Sequence, residues 1–222
     1  MTQDNTSSFP VQFQGQVWAQ WLLRLAGWRY RFDGLPSQQG VFIAYPHTSN
    51  WDFVVMILVK WATGIRTQFW AKDSLFRVPL LGPWLRWVGG VAIDRKACSG
   101  VVGEMIRVLR QHKDEGKYFW LALSPEGTRQ HTEGWRSGFY QTAFQAGVPI
   151  CLVRLDYGRK ELVATHFYRL SGDMAADMAV IADSFAGVQG YRPNDASPVV
   201  LLASAPDSAA KTPLSSGASP HV

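Results

Sequence analysis

Cysteine is scarce in this chain, with Cys98 and Cys151 the only two in 222 residues. They lack the paired Cys/His spacing of a zinc site, and no signal peptide with a charged start and apolar middle precedes them. A reduced, cytoplasmic setting is therefore the expectation. Cys151 sits in an apolar run and reads as a packed small hydrophobe, and Cys98 in a Gly/Ser loop, so neither is assigned chemistry. Long apolar runs are also missing. The longest, Phe53 to Val59, is closed by Lys60, far short of the roughly 20 residues that span a bilayer. Lys and Arg never form a run or a basic helix face, which disfavours a nucleic-acid groove. No internal repeat occurs.

What is present is a chain long enough, at 47% hydrophobic residues, to bury one sizeable core. Formal charge is +5; the last thirty residues hold Asp195, Asp207 and Lys211, a net of −1, so the remainder carries +6. Arg and Lys scattered singly beside loops suit phosphate sites. Ten tryptophans and twelve phenylalanines are many for a domain of this size, and aromatic side chains favour places where an apolar body meets a wet interface. Peripheral contact with a membrane surface is the expectation.

Three regions follow from pattern. In residues 1–32, Phe13, Val17, Trp18, Trp21, Leu22 and Leu25 recur at helical spacing, giving an amphipathic helix that either packs on the domain or inserts in a membrane interface. Trp28 and Tyr30, flanked by Arg29 and Arg31, resemble an interfacial anchor. Residues 33–192 alternate strand and helix signals. Strands are expected at 40–45, 67–71, 90–93, 118–123 and 149–155, with an edge strand at 162–167. Helices are expected at 50–63, 101–112, 138–146 and 175–185. This is an α/β domain with a central mixed sheet flanked by helices. Residues 193–222, with Pro193, Pro198, Pro206, Pro213 and Pro220 among Ser and Ala, read as a disordered tail whose Val199 to Leu202 docks weakly at most.

Chemistry gathers where strands end in such sheets. His47, Lys72, Arg95 and Glu126 each follow an expected strand. In His47-Thr48-Ser49-Asn50-Trp51-Asp52 an imidazole and a carboxylate are spaced as a general base and its orienting partner. The same residues also read as a helix cap, with Asp52 three residues after Ser49, which accounts for Asp52 and leaves His47 unused. If the strand ends share one edge, His47, Asp52, Lys72, Arg95, Glu126 and Arg129 meet in one crevice. Ser124 precedes Pro125 and lacks the G-x-S-x-G elbow of a nucleophile.

Four blocks occur in order: His47 to Asp52, Gly90-Val91-Ala92-Ile93-Asp94-Arg95, Pro125-Glu126-Gly127-Thr128-Arg129, and Gly147-Val148-Pro149-Ile150. Together they resemble the glycerolipid acyltransferases, the family that includes 1-acylglycerol-3-phosphate acyltransferase, over roughly residues 40–155. The resemblance implies transfer of a fatty acyl group from a coenzyme A or acyl-carrier-protein thioester to a lysophospholipid hydroxyl, with no cofactor. It implies His47 as base, Asp52 as its orienter, and Arg95, Glu126, Gly127, Thr128, Arg129 and, by position, Lys72 as acceptor-binding residues. Pro46 stands where many members have Asn, and the family's pair of long N-terminal hydrophobic helices is absent. A compact branch lying on the cytoplasmic face of the membrane is implied. Two other readings stay open: a metal-dependent hydrolase using His47, Asp52 and Glu126, and a non-catalytic lipid-binding protein on the same scaffold.

Overall fold

The computed structural model describes residues 9–93 and 98–202. Its elements in chain order are α1 (Val17–Leu25), β1 (Arg29–Arg31), β2 (Gln39–Tyr45), α2 (Asn50–Thr63), β3 (Thr67–Lys72), α3 (Asp73–Phe76), α4 (Leu81–Trp87), β4 (Gly90–Ile93), α5 (Cys98–Asp114), β5 (Phe119–Leu123), α6 (Gly138–Ala146), β6 (Ile150–Asp156), β7 (Glu161–Tyr168) and α7 (Met174–Ser184). The seven strands form one sheet in the order β1-β7-β6-β2-β5-β3-β4. Strands β2 to β6 are mutually parallel, while β7 runs antiparallel to β6 and carries β1 beside it. The mixed α/β sheet is as the alternating pattern implies.

Strand β2 is buried along its whole length, which is why it reads as a continuous apolar run and not as an alternation. Val41, Ile43 and Tyr45 point into a core shared with α5, α6 and α7, whereas Phe42 and Ala44 face one shared with α1 and α2. Helix α2 begins at a Ser49 cap whose hydroxyl accepts from the Trp51 amide, and it stops at Gly64 in the left-handed conformation, φ 77°. On α7, buried Asp177 accepts hydrogen bonds from the Tyr140 and Tyr168 hydroxyls and from Ser171, tying α6, β7 and α7 together.

Several expectations are corrected. The strand expected at 162–167 lies inside the sheet, because β1 pairs with it and takes the edge. Trp28 is buried edge-on against Tyr157 at 4.9 Å, so it anchors α1 to the domain and not to an interface. The Gly/Pro-punctuated stretch 73–87, given no element from sequence, folds as α3 and α4. Residues 193–202, placed by composition in the disordered tail, run as an ordered strap. It holds a short 3-10 turn at Pro193–Asp195, and Leu201 bridges to Trp135. Proline there limits regular structure but leaves side-chain and bridge contacts free to fix the chain. Residues 203–222 lie outside the described residues.

Gly40 offers a test of the core at the N-terminal end of β2. A Cβ there would lie 2.3 Å from the Trp120 indole. Gly40→Ala is expected to cost about 1–3 kcal/mol in chemical denaturation, with turnover per folded molecule unchanged.

Candidate active site

Because β2, β3, β4, β5 and β6 are parallel, their C-terminal ends form one edge, where the loops after β2 and β5 meet. His47 follows β2, Lys72 ends β3 beside Ile93 of β4, and Glu126 follows β5. Arg95 lies outside the described residues, and of Lys72 only the backbone is described.

Asp52 is fully buried in the first turn of α2. Its Oδ2 accepts from the Thr48 amide at 2.7 Å and the Ser49 amide at 2.8 Å, and stands 3.2 Å from His47 Nδ1. One oxygen therefore completes the capping box and also holds the imidazole, so the cap does not leave His47 without a partner. With Nδ1 occupied, Nε2 is the ring nitrogen left for a substrate, and His47 is 19% exposed on the wall of a cavity. Asp52 Oδ1 is buried and accepts no hydrogen bond among the described residues. The Tyr157 phenol is nearby, and burial first, then the Asp52 carboxylate, push it up from its ordinary value.

Glu126 is placed otherwise than as an acceptor ligand. It is 2% exposed; Oε2 accepts the His47 amide at 2.7 Å and Oε1 the Ser197 amide at 3.0 Å. Both oxygens are thus spent on backbone. Burial pushes the carboxyl above its usual range, and the two amides oppose that rise. The Ser124 hydroxyl donates weakly to Glu126 at 3.5 Å. Gly127, at φ 66°, lets the loop turn beneath the Arg136 side chain, where a Cβ would meet Nε at 3.1 Å. Thr128 and Arg129 line the cavity wall.

The cavity, about 1810 Å³, has two characters. One wing runs between α2 and the sheet and is apolar, lined by Phe42, Phe53, Met56, Ile65, Leu162 and Ala164; the other carries Arg129, Arg136 and Arg192. Lys60, on the apolar side, donates to the carbonyls of Thr67 and Val88, and burial pushes its ammonium down to about 8. Arg136 and Arg192 were not singled out from sequence. Arg136 lies seven residues past Arg129 with no motif of its own, and Arg192 borders the segment that composition marks as tail.

Residues 29–155, more than half of the chain, match the Acyltransferase family. The chain belongs to that family. No curated protein sequence matches this acyltransferase significantly. Among solved structures it is similar to the 1-acyl-sn-glycerophosphate acyltransferase PlsC from Thermotoga maritima, at 17% identity and a TM-score of 0.45, over 75% of this chain and 73% of that one.

The placement of Glu126 yields a test. Glu126→Gln sets an amide NH₂ against one of two backbone N–H donors, so it should cost about 1–3 kcal/mol of stability. A urea melt measures this. A change in acceptor KM with unaltered stability would mean that Glu126 touches substrate instead.

Proposed function

We propose that this acyltransferase moves a fatty acyl group from a coenzyme A or acyl-carrier-protein thioester to the hydroxyl of a lysophospholipid-type acceptor. The leading candidate acceptor is 1-acylglycerol-3-phosphate, which would give phosphatidic acid. The observation that carries the reading is His47, held by Asp52 through Nδ1, on the wall of a cavity whose one wing is apolar and whose other wing is lined by arginines. At about 1810 Å³ the cavity exceeds the roughly 300–1,000 Å³ of a single-ligand site, which fits a reaction that joins two large substrates.

An alcohol is too weakly acidic to ionise at neutral pH, so His47 Nε2 accepts its proton as the oxygen attacks the thioester carbonyl. The C–S bond then breaks, and the imidazolium returns the proton to the departing thiolate. Asp52 fixes the tautomer and stabilises the transient imidazolium. No covalent enzyme intermediate is needed. The metal-hydrolase reading requires His47, Asp52 and Glu126 to aim free donor atoms at one point. Glu126 gives both oxygens to backbone amides, and of the other two residues only His47 Nε2 and Asp52 Oδ1 remain, one atom short of a three-ligand set. Among the described residues no group of three or more His, Cys, Asp or Glu is placed to hold a metal ion.

The lipid nature of the substrates agrees with the surface around the cavity. Trp18 and Trp21 of α1 and Trp87 of α4 are exposed, Trp61 bridges Trp18 and Trp87 at ring distances of 5.2 and 6.0 Å, and the exposed Trp51 and Trp84 line the cavity itself. Among the described residues no helix is long and apolar enough to cross a membrane. We place the protein on the cytoplasmic face, where this aromatic surface meets the bilayer and lipids enter sideways.

Purified protein with acyl-CoA or acyl-carrier protein and a panel of lysolipids should form diacyl products detectable by mass spectrometry. His47→Ala should lower turnover on the order of 10²- to 10⁴-fold. Asp52→Asn keeps a carbonyl oxygen for the capping amides, so it should lose far more turnover than stability; the reverse pattern would reduce Asp52 to a cap. Replacing Trp18, Trp21 and Trp87 with Ser should weaken co-sedimentation with anionic vesicles, and unchanged sedimentation would remove the membrane face from the proposal.

A further inference from the structure

The strap beyond β7 lies outside the region that matches the family, yet it is fastened to the candidate catalytic loop at several points. The Ser197 amide donates to Glu126, whose other oxygen holds the His47 amide. The Tyr45 hydroxyl donates to the Ser197 carbonyl at 2.9 Å. The Arg192 amide donates to Thr48 Oγ1 at 3.1 Å, and Gly190 packs so closely that a Cβ would lie 2.8 Å from the same hydroxyl. Thr48 is the residue after the base. The strap thus carries Arg192 to the wall of the cavity that His47 lines.

The Arg192 side chain is exposed, and its ionic contact is with Asp195 at 4.0 Å, a loose surface pair. Such pairs hold a guanidinium weakly, so it is available to a stronger partner. Arginine matches a phosphate bidentately. Resting on the acyl-transfer reading above, we propose that Arg192 is an acceptor-recognition residue that binds the phosphate of a lysophospholipid whose hydroxyl faces His47. Two sources of phosphate reach such a cavity, the acceptor headgroup and coenzyme A. Position favours the acceptor. In a glycerol phosphate the reacting hydroxyl and the phosphate are a few bonds apart, so an arginine whose backbone is tethered to the neighbour of the base is placed to reach that phosphate. The coenzyme A phosphates are separated from the thioester by the whole pantetheine arm. Arg129 and Arg136, on the same wall, come from the β5 loop, so Arg192 closes the headgroup site from the opposite end of the chain.

The link to Thr48 runs through the backbone amide, so substituting the side chain removes the guanidinium and keeps the strap attached. Arg192→Gln should leave the melting temperature unchanged and raise the KM for lysophosphatidic acid about tenfold or more, with kcat changed less. Arg192→Lys should fall between. With monoacylglycerol, which has no phosphate, wild type and Arg192→Gln should be equal, and the donor KM should not move. A penalty that persists with monoacylglycerol, or that disappears when acyl-CoA is replaced by an acyl thioester of N-acetylcysteamine, overturns the acceptor assignment; so do wild-type kinetics. Equilibrium binding of short-chain lysophosphatidic acid to wild type and Arg192→Gln answers the question separately from turnover. Weaker binding by the variant in a protein that transfers no acyl group would sink the acyl-transfer reading while leaving the phosphate contact standing.

Discussion

The site depends on one buried oxygen, Asp52 Oδ2. A carboxylate removed from water is tolerable only when donors replace its hydration, and here two backbone amides and the His47 ring supply them. The same bonds stitch the end of β2 to the start of α2, so the imidazole is fixed by the interaction that starts the helix. Capping and orientation are one arrangement: the amides that need an acceptor at the helix N-terminus belong to the two residues that follow His47.

A second buried carboxylate holds that loop from the other side. Glu126 joins the loop after β5, the loop after β2 and the C-terminal strap by accepting one amide from each of its two partners. Its position in the motif block invites a substrate-binding role, but a carboxylate with both oxygens given to backbone has little left for a ligand. Burial also pushes it upward, against the pull of the Ser197 and His47 amides, which suits an internal brace better than a headgroup contact. The arginines on the cavity wall supply the positive charge instead.

The candidate site thereby lies between two kinds of surface. On one side the cavity runs under α2 as an apolar slot; on the other it is lined by guanidinium groups, and the exposed Trp51 and Trp84 stand on its wall. On the proposed reading, these surfaces suit the tail and the anionic headgroup of a long amphipathic substrate, and would orient it toward His47.

The chain's sequence determined the elements and the His47–Asp52 pairing, because both are local. Apolar periodicity and cap residues give α2 its boundaries at Asn50 and Thr63, and His47 and Asp52 lie close in sequence across the strand exit and the first turn of that helix. Trp28 and Tyr30 misled for the same local reason: aromatics flanked by arginines look interfacial until a tertiary partner, here Tyr157, buries one of them. The gathering of separated loops was conditional on strand direction, which no local pattern encodes; only the parallel order of β2 to β6 put them on one edge. Tertiary structure alone decided the role of Glu126, the order in residues 193–202 and the arrival of Arg192 beside Thr48, because each rests on contacts between residues many tens of positions apart.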